Sequence, residues 1–275
     1  MKKIFFTCLL MVLAISFSVA QAPVNQTDAK GKKQGSWEEK TPAGTSLKGV
    51  YTDDLKVGCW TTYATDGKLL RIEHYNKGLQ EGIAIDIDQR GYLVSESYYE
   101  NNLLEGTAKK YYYGTNPAST IDYVHGKING KKKIYYENSA GKMQEESEYK
   151  DDIKNGSSKY FTISGDPVAE YIYVNGMLQG VQKTYYAGKK IMSEQEFVDN
   201  LENGAGKEYY ENGKLKIESM YAKGVLNGVW KEYNEDGLLS ISGAYFNGAK
   251  DGKWMEYDKA GKVVKTTKYV KGEVK

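Results

Sequence analysis

Cysteine, histidine and proline are scarce in this chain of 275 residues, and neither sign of charge dominates. There are 2 cysteines, 2 histidines and 4 prolines. So few cysteines exclude a disulfide-stapled scaffold, and no Cys/His cluster has the spacing of a zinc site. "DDLK" at Asp53 and "DDIK" at Asp151 lack the alternating oxygen ligands and the glycine of a calcium loop. No glycine-rich phosphate motif leads a strand into a helix. The sequence therefore points to no metal and no cofactor.

The first residues, "MKKIFFTCLLMVLAISFSVAQA", place Lys2 and Lys3 before an apolar run that ends near Ile15. Ser18 and Ala20 meet the small-residue requirement for cleavage before Gln21, so residues 1–20 read as a signal peptide of an exported protein, periplasmic or secreted. The apolar run is shorter than the roughly 20 residues a spanning helix needs. Of 38 basic residues, removal of Lys2 and Lys3 leaves 36 against 36 acidic ones. Without surplus positive charge, nucleic acid is not an expected partner. Cys59 is then the sole cysteine of the mature chain, and a small buried hydrophobe is the expected role for it. Residues 21–34 are polar and read as a flexible linker.

Glycine and tyrosine are abundant, at 30 and 25 residues. Such a wealth of rings excludes a disordered chain. "EYYENGKLKIESMYAKGVLNGVW", Glu208 to Trp230, returns as "VWKEYNEDGLLSISGAYFNGAKDGKW". Glycines recur at 35, 58, 82, 106, 130, 156, 180, 204, 228 and 252, in steps of 23 to 26 residues. Residues 35–275 thus form one array of ten units, because an isolated hairpin cannot bury enough surface and needs neighbours.

Four residues before each later marker stands Gly, Asn or Asp, the residues that tolerate a left-handed backbone, so a tight turn is expected there. A second turn falls mid-unit at Asp66-Gly67, Asn212-Gly213 and Asp236-Gly237. Each unit is then a hairpin, and the fold class is all-β: an elongated, twisted antiparallel meander of about twenty strands. Taking Asn212-Gly213 as a two-residue loop sets the register, which brings Lys207 opposite Glu218, Lys183 opposite Glu194 and Lys133 opposite Glu146. The other face carries an aromatic ladder, Tyr51, Tyr75, Tyr99, Tyr123, Tyr149, Tyr173, Phe197, Tyr221, Tyr245 and Tyr269, expected to be the core. A second ladder shares the face of the Lys–Glu pairs and is expected to be partly exposed. It includes Tyr185, Tyr209, Tyr233 and Tyr257.

The pattern G-x-W-x-x-Y, N/D-G-x-L, Y-x-x-G resembles the MORN repeat in its bacterial variant form, best in the units at Gly58, Gly204, Gly228 and Gly252. Units from Gly82 to Gly180 lack the tryptophan. The resemblance implies a sheet of stacked hairpins used in protein interaction or scaffolding, with lipid-headgroup binding in some members. It also implies an antitoxin-like assignment of the YwqK type, to which an exported immunity or binding protein would be the counterpart.

His74 occupies a strand slot filled elsewhere by Glu196, Met220 and Lys268, and His125 a turn slot filled by Asn175, Lys223 and Asn247. Such variation suits surface positions, and no converging acid–base set accompanies them, so no enzyme is expected. Lys109, Lys133, Lys159, Lys183, Lys207 and Lys231 occupy one slot of six successive units. They read as a solvated face neutralised by glutamates, or alternatively as a stripe for anionic lipid. The expected function is non-catalytic binding of another protein. The alternative is cell-wall glycan or anionic lipid, held by Tyr185, Tyr209, Tyr233, Tyr257, Lys183 and Lys207.

Overall fold

A computed structural model describes residues 23–275; the segment read as a signal peptide lies outside the described residues. The fold is all-β, a single open meander of antiparallel strands with no helix among the described residues. Sequence neighbours are sheet neighbours throughout, as in Leu201–Tyr209, Leu215–Ala222, Val225–Leu226 with Gly228–Tyr233, and Leu239–Phe246. The polar segment expected as a flexible linker is folded from Asn25 onward. Gln26–Thr27 pairs with Lys33–Gln34, and the Asn25 side chain accepts from the Glu38 amide at 2.8 Å and donates to its carbonyl at 3.2 Å.

Two turn types alternate: the tight left-handed turn expected four residues before each marker glycine is present, and the mid-unit turn is one residue longer than expected. The two-residue turns join units: Ala222 pairs with Val225, and Lys223 and Gly224 between them have φ of 51° and 82°. Two positive φ values define the turn whose twist matches the flanking strands. Mid-unit, Tyr210 accepts from Gly213 at 2.8 Å and donates to Lys214 at 2.9 Å, and Tyr209 pairs with Leu215. Glu211, Asn212 and Gly213 thus make a three-residue loop with only Gly213 left-handed. The two-residue reading of Asn212-Gly213 is corrected accordingly. Its register nevertheless holds beyond the loop, because a bulge takes up Lys216: Glu208 pairs with Ile217, and Lys207 with Glu218.

The junction turns also staple neighbouring units. Where their second residue is Asp or Asn, its side chain accepts from the preceding unit's backbone: Asp54 from Lys33, Asn102 from Gln80, Asp152 from Ile128 and Asn200 from Leu178, at 2.6–2.7 Å. Where it is glycine, the preceding unit's aliphatic side chain lies against the turn, as Leu55 does at Gly78 and Ile153 at Gly176.

The recurring marker glycines lie within strands, at positive φ, where the register breaks. Beside such a bulge a carbonyl of the preceding strand takes one backbone amide, as Ile172 does from Gln179 at 2.9 Å, and keeps a second lone pair for a side chain. Trp60 donates its indole N–H to Val50 and Trp254 to Ala244, at 3.2 and 3.1 Å. In a unit without tryptophan, Gln182 takes the same slot and donates to the Ile172 carbonyl at 3.3 Å while accepting from its amide at 2.7 Å.

The volume of that slot is matched to the preceding unit. A Cβ on Gly49 would fall within the ring of Trp60, and one on Gly243 within that of Trp254. Elsewhere the order reverses, with Gln195 lying against Gly206, or both partners are small, as with fully buried Ser147 and Ser158. The most buried side chains are in this row, including Trp60, Ala84 and Trp254. Of the ladder expected to be the core, only Tyr51 is fully buried and the rest are half-buried. Among the described residues no second layer covers this face, and rings shield one another edge-on: Trp37, Tyr51, Trp60 and Tyr75 follow at 5.7, 4.9 and 6.5 Å, and Trp230, Tyr245, Trp254 and Tyr269 at 5.5, 5.2 and 6.2 Å. Each edge-to-face pair contributes about 0.5–1.5 kcal/mol beyond area burial.

Candidate functional site

The opposite face carries the residues singled out from the sequence. Alternation along the strand puts Ala205, Lys207 and Tyr209 on one side. Antiparallel pairing then sets glutamates beside the lysines in a row running across the strands. Glu146, Lys159, Glu170, Lys183, Glu194, Lys207, Glu218 and Lys231 are successive cross-strand partners. All three Lys–Glu pairings expected from the sequence occur in this register. Lys183 reaches Glu194 at 3.2 Å and Lys133 reaches Glu146 at 3.3 Å, whereas Glu218 is met by Lys231 of the next unit at 3.0 Å. The alternation of sign rules against a purely basic stripe. It leaves a surface patterned in charge but balanced.

The second tyrosine ladder is bonded to this row. Tyr209 donates to Glu194 at 2.9 Å, Tyr233 to Glu218 at 3.1 Å and Tyr185 to Glu170 at 3.5 Å, while Tyr257 shares a 2.9 Å bond with Ser242. All four rings are half-buried. Each glutamate is therefore shared between units. Burial pushes the Tyr209 phenol up to about 12, aided by its bond to Glu194. The Lys231 ammonium, joined by Tyr233, holds Glu218 below the usual carboxylate range against the opposing pull of burial. At Glu194 burial acts upward, but the bonds from Tyr209 and Lys183 prevail and lower it.

Aliphatic side chains flank the charged row, exposed to water. Val181, Met220 and Val229 are 45%, 40% and 51% exposed, and Leu55, Leu79, Leu103, Ile153 and Leu201 line the junction-turn margin of the same face. Cys59 belongs to this face, opposite His74, and is exposed. The expected burial of Cys59 is thus corrected: its strand alternation turns it away from the tryptophan row, to a face that no layer covers among the described residues. His74 meets the Ile83 carbonyl at 3.2 Å, and His125 holds a turn position at φ 49°. No group of three potential metal ligands converges among the described residues.

A depression lies on this face. It has a volume of about 250 Å³ and is lined by Ala205, Gly206, Lys207, Glu218, Ser219, Met220, Val229 and Lys231. Lys207 and Glu218 were identified from the sequence. The depression itself was not, although its signal is there: Ala205-Gly206 is the smallest pair in slots that hold Val181-Gln182 and Val229-Trp230 in adjacent units. A third ladder also escaped notice. Tyr112, Tyr136, Tyr186 and Tyr210 each donate to a carbonyl of the next unit, at 2.8–3.0 Å.

No curated protein matches the chain. The family model of the MORN repeat variant matches it at residues 56–77, 178–199 and 202–223. Each match covers one hairpin, from just before a marker glycine to the following junction turn. Of the four units expected to match best, those at Gly58 and Gly204 are among the matched residues and those at Gly228 and Gly252 are not, while the unit at Gly180 matches with Gln182 in the tryptophan slot. In these three segments the chain is similar to a repeat generally associated with protein or membrane-lipid binding.

Proposed function

We propose that this chain is a non-catalytic docking protein, and that its partner is another protein lying on the face of the Lys–Glu row. The observation that carries the reading is the asymmetry of the sheet. On one face the rings bury one another, whereas the other leaves Val181, Met220, Val229 and a margin of leucines in water. Exposed apolar groups interleaved with balanced charge suit a protein surface better than an anionic bilayer, which would favour an excess of lysine. Glutamates bonded to Tyr209 and Tyr233 likewise tie up the hydroxyls a sugar would need. Export to the envelope, and an immunity-like role there, extend the same reading and rest on the leader and on the repeat resemblance.

Photo-crosslinking tests it. Benzoylphenylalanine placed at Val181 is expected to give discrete protein adducts in cells, while the same group at Lys110, on the opposite face, gives none. Equal adduct patterns at the two positions, or adducts only with lipid, would count against the proposal.

A further inference from the structure

The depression at Ala205 points to a more specific partner. We infer that it receives the C-terminal residue of a partner polypeptide, with an apolar side chain on Ala205 and the terminal carboxylate at Lys207. This rests on the docking role proposed above. At about 250 Å³ the depression is below the 300–1,000 Å³ typical of small-molecule pockets and suits a single anchoring side chain.

Met220 and Val229 supply apolar walls, and Ala205 leaves the floor low. Lysine exceeds glutamate in the lining, with Lys207 and Lys231 against Glu218. The nearby Glu196 carboxylate is turned aside onto Gly204 and accepts from the Ala205 amide at 3.4 Å. Lys207 is also distinct within its row. Lys109, Lys133, Lys159, Lys183 and Lys231 each have a carboxylate partner. Lys207 is the one lysine of the row, among the described residues, without an ion pair. Its cross-strand neighbours Glu194 and Glu218 are engaged by Lys183 with Tyr209 and by Lys231 with Tyr233. An exposed ammonium beside an apolar recess calls for an anion attached to an apolar group.

Spacing favours a chain terminus over an internal acidic residue. Ala205 and Lys207 are two residues apart on one side of a strand, about 7 Å. A terminal residue can supply both side chain and carboxylate over that span. In an extended peptide the side chain of an adjacent acidic residue points the other way. Capture of a terminal carboxylate is an established mode of peptide recognition.

The test uses methyl-labelled full chain and three probes: N-acetylphenylalanine, its amide, and the amide of N-acetyl-aspartyl-phenylalanine. Titration with the free acid is expected to shift the methyl signals of Ala205, Met220 and Val229, with at least threefold weaker binding of both amides. Ala205→Leu is expected to abolish the shifts and Lys207→Gln to remove the preference for the acid, with circular dichroism unchanged in each. No shift at these methyls, or equal affinity for acid and amide, overturns the inference. Stronger binding of the aspartyl amide overturns the terminal assignment. If the probes fail while crosslinks at Val181 persist, the depression is at fault; loss of those crosslinks instead removes the docking role itself.

Discussion

Tyr209 and Glu194 belong to different repeats, and the phenol of one donates to the carboxylate of the other across 2.9 Å, on the face where Lys183 also reaches Glu194 at 3.2 Å. This bond couples units within a single sheet, where neighbouring strands are the means of contact between repeats. Tyr209→Phe is expected to keep the ring contact and lose the bond. A hydrogen bond to a charged group is worth about 1.5–3 kcal/mol when buried, and half exposure here brings the expected loss to about 1 kcal/mol. Urea unfolding followed by circular dichroism would measure it, and an unchanged midpoint would mean that the bond contributes nothing.

Stability is expected to fall at both ends of the pH scale, for separate reasons. Glu146, Glu194 and Glu218 are held below their ordinary values, so the unfolded chain binds protons more readily as pH drops. Their contribution is present above the unfolded glutamate pKa, near 4.3, and disappears as pH falls through the lower folded values. Tyr111 and Tyr209 are raised to about 12, so the folded state holds the phenol proton longer. That contribution is intact below about 10 and is lost between about 10 and 12. Melting temperatures recorded from pH 2 to 12 would show both limbs, and the alkaline one should shrink in Tyr209→Phe.

Trp60 and Gly49 are expected to tolerate no independent change. Trp60→Ala should cost about 3–5 kcal/mol as a large-to-small replacement that also removes the indole bond to the Val50 carbonyl. Gly49→Val should destabilise through overpacking by about 1–3 kcal/mol or more, because the indole occupies the space. In the double variant the two costs should be markedly less than additive. Additive losses would show that ring and glycine do not sense each other.

Lys223 holds φ 51° at a junction turn where related units have Asn175 and Asn247. Asparagine adopts this conformation more readily, so Lys223→Asn should raise stability by up to about 1 kcal/mol. Lys223→Val should lower it by about 1–2 kcal/mol. Thermal melts of both variants would decide, and a neutral valine would indicate that the turn relaxes.

Much of this was legible in the residues because a repeat reports the same geometry ten times over. The glycine spacing identified the hairpins, and counting outward from Asn212-Gly213 gave the correct Lys–Glu register even though the loop there is three residues long. Loop and bulge each shift the count by one, and the errors cancel beyond Glu208. What stayed hidden was set by neighbours in space. Nothing in "GVQKTY" says that Gln182 does the work of an indole until its amide is seen at the Ile172 carbonyl. Cys59 was misjudged because its hydropathy suits a core, while its exposure follows from which side of a one-layer sheet it falls on. The Ala205 recess is a property of missing atoms across adjacent strands, which pairwise reading along the chain does not reveal.

The fit of Trp254 against Gly243 also constrains how such a protein could grow. A tryptophan-bearing repeat copied to follow the one at Gly156 would set its indole against Tyr171 rather than a bare α-carbon. Lengthening by duplication is therefore open only at seams where donor and recipient repeats are already matched in bulk. Inherited units should travel in compatible pairs rather than singly.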